Sequence, residues 1–194
     1  MDILVLGGTQ FVGKYLVREA LNRNHNVTIF NRGISNSSLF SNIECIIGNR
    51  NNDTDLKKLA KRKWNVIIDV PYFPVNIVKK STEILYESTD KYVFISSVSV
   101  YDVNKNYDSK YIQYCKNKLE SERLFYGKEL KSLVFRPGKI CGEGDNTNRF
   151  EYKDTGIYWK STGGIVKKYT LPTDFAKYVL GLIEKDTKGI YETI

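Results

Sequence analysis

Tyr114 and Lys118 close the run Tyr114-Cys115-Lys116-Asn117-Lys118, a four-residue separation that stacks both side chains on one face of a helix continuing through Glu122 and Leu124. A phenol with a pKa near ~10 is a poor base at neutrality, and a neighbouring ammonium favours its phenolate. The pair is a candidate general acid/base with its electrostatic activator. Upstream, Lys91 to Tyr101 reads Lys-Tyr-Val-Phe-Ile-Ser-Ser-Val-Ser-Val-Tyr, a buried strand emptying into hydroxyl residues. Ser97 is the candidate hydrogen-bond partner of a reacting oxygen, with Ser99 on the substrate side and Ser96 on the cofactor side. His25 is the only histidine, which excludes Ser-His-Asp triads, Cys-His dyads and histidine-rich metal centres. No metal site is expected.

A second constellation lies near the amino terminus. The strand-like Ile3-Leu4-Val5-Leu6 runs into Gly7-Gly8-Thr9-Gln10-Phe11-Val12-Gly13 and then into an amphipathic helix, the setting that a dinucleotide-binding turn requires. Glycine there permits positive φ and close backbone approach to a pyrophosphate, while the helix amino end supplies unpaired N–H donors. At the end of the second strand an acid would read the ribose of NAD, whereas an Arg accommodates the 2′-phosphate of NADP. Here Asn31-Arg32-Gly33 stands there, which favours NADP over NAD. Tyr72 and Ser96 join the cofactor-binding set.

The elements that must position these groups follow from periodicity. Strands are expected at 2–6, 26–30, 43–47, 65–70, 91–96 and 132–136, mostly continuous apolar runs as found when both faces are buried. Helical stripes lie between them: Phe11, Tyr15, Leu16, Ala20 and Leu21 form one, and Ile77, Thr82, Leu85 and Tyr86 another. Asp53 is the expected N-cap of a helix carrying Leu56, Leu59 and Ala60. The alternation specifies an α/β fold, a Rossmann-type doubly wound parallel sheet with helices on both faces. Residues 1–141 are read as the dinucleotide-binding domain. Residues 142–194 are read as an abbreviated substrate or lid segment, irregular to about 170, with a last helix capped by Thr173 or Asp174 and packed on the same domain.

Bulk composition narrows the function class. The chain has 194 residues, 41% hydrophobic and 27% charged, one core's worth of chain with no apolar run long enough to cross a bilayer. Met1 leads straight into a strand without a secretory leader, so a cytoplasmic location is expected. Three unevenly spaced cysteines, Cys45, Cys115 and Cys141, suggest free thiols. The net charge of +8 would attract polyanions, and Lys57-Lys58-Leu59-Ala60-Lys61-Arg62-Lys63 is the densest basic run. Lacking interleaved aromatics, it reads as the solvated face and end of a helix, which argues against nucleic acid as a partner without excluding it.

The glycine turn, the hydroxyl-rich strand end and the Tyr/Lys pair occur in an order that resembles the extended and atypical short-chain dehydrogenases/reductases, the NAD-dependent epimerase/dehydratase group. The resemblance covers residues 1 to about 145. It implies catalysis by Ser97, Tyr114 and Lys118, with Lys118 also binding ribose. It also implies nucleotide binding by Gly7 to Gly13, and nicotinamide contacts from Arg136-Pro137-Gly138-Lys139-Ile140, including Pro137, Gly138 and Ile140. Asp174-Phe175-Ala176 resembles the family's late Asp-Leu-Ala helix start. Gln10 replaces a middle glycine, a variant shared with an atypical branch that includes chloroplast RNA-binding relatives. Asn49 replaces the family's adenine-reading Asp, making Asn49-Arg50 a weaker cofactor site. Asp145-Asn146-Thr147-Asn148-Arg149-Phe150 resembles that branch's lid start, with Arg149 toward a substrate phosphate. The expected function is that of an NAD(P)-dependent oxidoreductase of the epimerase/dehydratase type, acting on a nucleotide sugar or related carbinol. The alternatives are a non-catalytic NAD(P)-binding regulator and an RNA- or partner-binding protein. A monomer or homodimer is expected, since helices at 75–88 and 110–127 are where this family dimerises.

Overall fold

The computed structural model describes residues 1–34, 39–72, 74–126, 131–145 and 147–193. The expected helix end at 127 and Asn146 lie outside them. Seven strands form one all-parallel sheet: β1 (Asp2–Leu6), β2 (Asn26–Asn31), β3 (Glu44–Ile47), β4 (Trp64–Asp69), β5 (Thr89–Ile95), β6 (Lys131–Pro137) and β9 (Gly189–Thr193). Their order is β3-β2-β1-β4-β5-β6-β9, so the winding reverses between β1 and β4. A doubly wound sheet opens a crevice at such a reversal, outside the carboxyl ends of the strands. A two-stranded antiparallel hairpin, β7 (Phe150–Lys153) and β8 (Gly156–Trp159), stands apart from the sheet.

Successive strand residues point to opposite faces, and each face has its own helices. Ile3, Val5, Ile29, Ile68, Val93 and Phe135 pack with α1 (Phe11–Asn22) and α5 (Pro172–Glu184). Leu4, Leu6, Phe30, Ile67, Phe94 and Val134 pack on the other side with α2 (Asp53–Leu59) and α3 (Val75–Leu85). That side also carries α4 (Ser109–Arg123), which follows a 3-10 turn at Val98–Asp102. No helix among the described residues is long and apolar enough to cross a membrane.

Several local expectations are corrected. The α2 N-cap is Asn52, whose side chain accepts from the Thr54 N–H, while Asp53 sits in the first turn and pairs with Lys80 at 2.8 Å. Helix α5 starts at Pro172, ahead of Thr173 and Asp174, because proline's fixed φ and missing donor suit a first helical position. The segment beyond residue 142 holds the β7–β8 hairpin as well as irregular chain, and β9 adds a strand to the sheet. The basic run 57–63 spends much of its charge locally: Lys58 pairs with Asp55, Arg62 with Glu44, and Lys63 donates to the Glu87 carbonyl.

Beneath the crevice, charge is buried in the interior. Arg50 is 6% exposed and Asp69 fully buried, and the guanidinium donates to both Asp69 carboxylate oxygens and to Ser81 Oγ. The Tyr92 hydroxyl donates to the same carboxylate at 3.0 Å. Removing one partner of such a pair strands the other in a low dielectric. Asp69→Ala is therefore expected to cost about 3–5 kcal/mol in urea unfolding, and the double variant Asp69→Leu/Arg50→Met to recover most of that loss.

Candidate functional site

The glycine turn begins where β1 ends. Gly7 and Gly8 have φ of +111° and +96°, backbone that residues with a Cβ adopt only under strain. A Cβ on Gly13 would stand 2.8 Å from the Gly8 nitrogen, so only glycine lets α1 come this close to its own turn. Gln10 caps α1 without a side-chain hydrogen bond, and the first turn holds no acidic residue. The amino end of α1 thus keeps free donors and positive dipole for an anion. Thr9 is buried, Phe11 and Val12 half-buried and Gln10 exposed at this corner.

Several buried side-chain atoms left without a hydrogen-bond partner among the described residues belong to residues that end or follow strands of the sheet. Asn31 Nδ2 and Thr193 Oγ1 belong to the last residues of β2 and β9, Ser96 Oγ and Ser99 Oγ follow β5, and Asp145 Oδ2 follows β6. Unsatisfied buried polar groups are costly, and those at the ends of β2 and β5 flank the glycine turn, where a polar ligand would reach them. This edge fits a dinucleotide: the diphosphate would lie against the turn Gly7–Gly13, with Asn31 and the exposed Arg32 near the adenosine ribose and Ser96 toward the nicotinamide end.

Helix α4 brings Tyr114 and Lys118 to the same edge. Lys118 Nζ donates to the carbonyls of Pro71, just past β4, and Ile95, the last residue of β5, at 2.9 and 2.8 Å. Burial lowers its pKa to about 8. The Tyr114 ring centroid lies 5.8 Å from this ammonium and 6.0 Å from the ring of Tyr72, which is 84% exposed. Ser97 and Ser99 stand beside the phenol, and Ser97 Oγ accepts from the Ser99 N–H at 3.2 Å. Burial raises the Tyr114 pKa, and the Ser97 hydroxyl and the charge of Arg149 pull against it. The Lys118 ammonium is held by two carbonyls, and at Tyr114 desolvation outweighs the groups that favour a phenolate.

Other residues divide. The β7–β8 hairpin, closed by the Phe150–Trp159 ring contact at 4.8 Å, sets exposed Arg149 near Tyr114. Arg50 does not offer its guanidinium to a cofactor, since Asp69 and Ser81 engage it in the interior. Asn49 closes a local turn, its Oδ1 accepting from the Asn51 N–H and its own N–H donating to Asp55. Pro137 ends β6, the Gly138 N–H is taken by the Thr193 carbonyl, and the Ile140 side chain is buried in the core. The Arg136 side chain, placed by resemblance among nicotinamide contacts, instead pairs with Glu122 and Glu192. Lys14, outside the set drawn from sequence, is buried on α1 with its ammonium 3.6 Å from Glu143. Its position directly after Gly13 was the available signal.

Residues 7–165 match the family described as NAD(P)H-binding. The chain belongs to that family. A curated relative, the chloroplast stem-loop binding protein of 41 kDa b from Arabidopsis thaliana, is 28% identical over 166 residues, covering 72% of this chain. The chain spans only 42% of that relative's length. Among solved structures, BdcA in complex with NADPH superposes with a TM-score of 0.73 at 13% identity, covering 100% of this chain and 92% of that one. The UDP-Glc/GlcNAc 4-epimerase of Campylobacter jejuni gives a TM-score of 0.73 at 14% identity, covering 99% and 78%. These likenesses establish a Rossmann-type fold.

Two outcomes test the site. Gly13→Ala forces the backbone of the turn apart, and calorimetry is expected to show at least a tenfold loss of NAD(P)H affinity in a protein with unchanged circular dichroism, about 1.4 kcal/mol or more. Lys118 has a folded pKa near 8 against an ordinary value of 10.5. Between those limits the unfolded chain binds more protons, so stability rises with pH across the window and the burial penalty is fully present below it. Relative to Lys118→Met, the wild-type protein is expected to gain about 3 kcal/mol between pH 8 and 10.5 in denaturant titrations.

Proposed function

We propose that this chain is an NAD(P)-dependent oxidoreductase of the epimerase/dehydratase type, in which Tyr114 moves a proton at the oxygen of a carbinol or carbonyl substrate. The observation that carries the reading is the convergence of the Gly7–Gly13 turn, the Lys118 ammonium and the Ser97–Tyr114 pair on one sheet edge. A nicotinamide bound there supplies hydride donation or acceptance. The chain's own groups do the rest. Ser97 orients and polarises the substrate oxygen through its hydroxyl. Tyr114, kept protonated by burial, gives its proton to that oxygen in the reductive direction and recovers it in the oxidative one. Lys118, bridging the ends of β4 and β5, supplies positive charge that stabilises the phenolate left behind and a donor for the ribose.

The substrate class favoured is a nucleotide sugar or a related phosphorylated carbinol. Arg149 supports it, because an exposed guanidinium whose field reaches Tyr114 suits a substrate phosphate. The 4-epimerase likeness is one of fold alone. Arg32, exposed at the end of β2 where no carboxylate stands, supports NADP over NAD. A polyanion-binding role is less favoured, because the densest basic run is partly neutralised within the fold.

Tyr114→Phe is expected to lower turnover about 10²–10⁴-fold while NAD(P)H affinity stays within about twofold. Turnover at the wild-type rate, measured with a panel of nucleotide sugars, would remove Tyr114 from the mechanism. Arg32→Ala is expected to weaken NADPH binding about tenfold and leave NADH binding unchanged in parallel titrations. Equal losses for the two cofactors would reject the 2′-phosphate contact.

A further inference from the structure

We infer that Arg136 is a positioning residue for the Ser97–Tyr114 pair, because its single guanidinium fastens to one strand both the turn that carries the serines and the helix that carries the phenol. The inference rests on the proposed role of Tyr114 and on no particular substrate. Arg136 lies at the carboxyl end of β6, next to Pro137. Its Nε and Nη2 donate to the Glu122 carboxylate at 3.0 and 2.7 Å. Glu122 is fully buried on α4, one turn beyond Lys118 and two beyond Tyr114, so the three share a face.

The other arm of the guanidinium reaches the serine turn. Arg136 Nη1 donates to the Tyr101 hydroxyl at 2.7 Å and to Glu192 at 3.2 Å, and Tyr101 in turn donates to Glu192. Tyr101 belongs to the 3-10 turn Val98–Asp102, which Ser97 caps and which contains Ser99. Tyr101 also lays its ring against the cation, 5.1 Å from centroid to guanidinium. A planar fork serves partners in two directions at once, which an ammonium cannot do with the same fixed geometry. The buried Glu122 carboxylate tolerates no loss of its partner, so the placement of α4 along β6 is fixed by this pair. The serine turn and the phenol are thereby referred to one point.

The test uses the full chain labelled with ¹³Cζ-tyrosine, the Tyr114 resonance being assigned by its absence in Tyr114→Phe. Titratable and charged groups near the phenol are Tyr111, Cys115 and Lys118 on α4, Tyr72 after β4 and Arg149 before β7, and none is altered by the variants used. In Tyr101→Phe, which keeps the ring and loses one partly exposed hydroxyl, the Tyr114 titration midpoint is expected to rise by about 0.5 pH unit or more, because the Ser97 hydroxyl is no longer held beside it. Adding Ser97→Ala to that variant is expected to produce no further rise, and NAD(P)H affinity to stay within about twofold. Arg136→Lys is expected to give a larger shift; should it fail to fold, Tyr101→Phe still decides. An unmoved Tyr114 resonance and midpoint in Tyr101→Phe, or a Ser97→Ala effect that simply adds to it, would overturn the inference. If Tyr114→Phe retains turnover, the acid/base role falls instead, and the resonance still reports whether Tyr101 and Arg136 place the phenol.

Discussion

The contact between Gly8 and Gly13 is the constraint from which the site follows. Backbone meets backbone there with no room for a single methyl group, and that approach brings the uncapped first turn of α1 over the carboxyl end of β1. Had either position carried a side chain, α1 would stand off and its N–H groups would point at solvent rather than across the crevice. Gly8 is also hemmed by Val5, Val17 and Ile29, so the turn is clamped from the core as well as from the helix. A rigid corner of this kind loses little freedom when a diphosphate arrives, so less of the binding free energy is consumed in ordering the protein.

Charges buried behind that corner impose a second condition. Asp69 at the end of β4 takes both the Arg50 guanidinium and the Tyr92 hydroxyl, Lys118 is anchored by two carbonyls, and Glu122 is closed over by Arg136. Each is expensive to bury, and a well-packed apolar replacement is often as stable. Apart from Tyr92, which ties β5 to β4, these bonds join a helix or loop to the end of a particular strand, and a small slip of α3 or α4 would break them. Apolar packing alone would tolerate such a slip far more readily.

Much of this could be read in the residues, and the reasons are local. The runs around Ile3–Leu6, Val66–Asp69 and Tyr92–Ile95 declare themselves because central parallel strands are covered on both sides and carry almost no polar interruption. Strand β9, at the sheet edge, has only the half-exposed sequence Gly189-Ile190-Tyr191-Glu192-Thr193 and gives no such signal. The β7–β8 hairpin is similarly short and exposed. The Tyr114–Lys118 spacing put both side chains on one face of α4, yet spacing carries no information about desolvation, so the raised phenol pKa was not foreseeable. Arg50 illustrates the same limit. Its position after β3 suggested a ligand contact, and only the three-dimensional neighbourhood of Asp69 and Ser81 turns it inward.

Helix α5 closes the face of the sheet against which α1 also packs, contributing Phe175, Ala176, Val179, Leu180 and Ile183 to a core whose other buried members lie between Ile3 and Ile140. On the ribosome the glycine corner is therefore made before its cover, and its flank faces outward until residues 172–184 have emerged. Until that helix arrives, the apolar flank is the part of this domain open to misassociation.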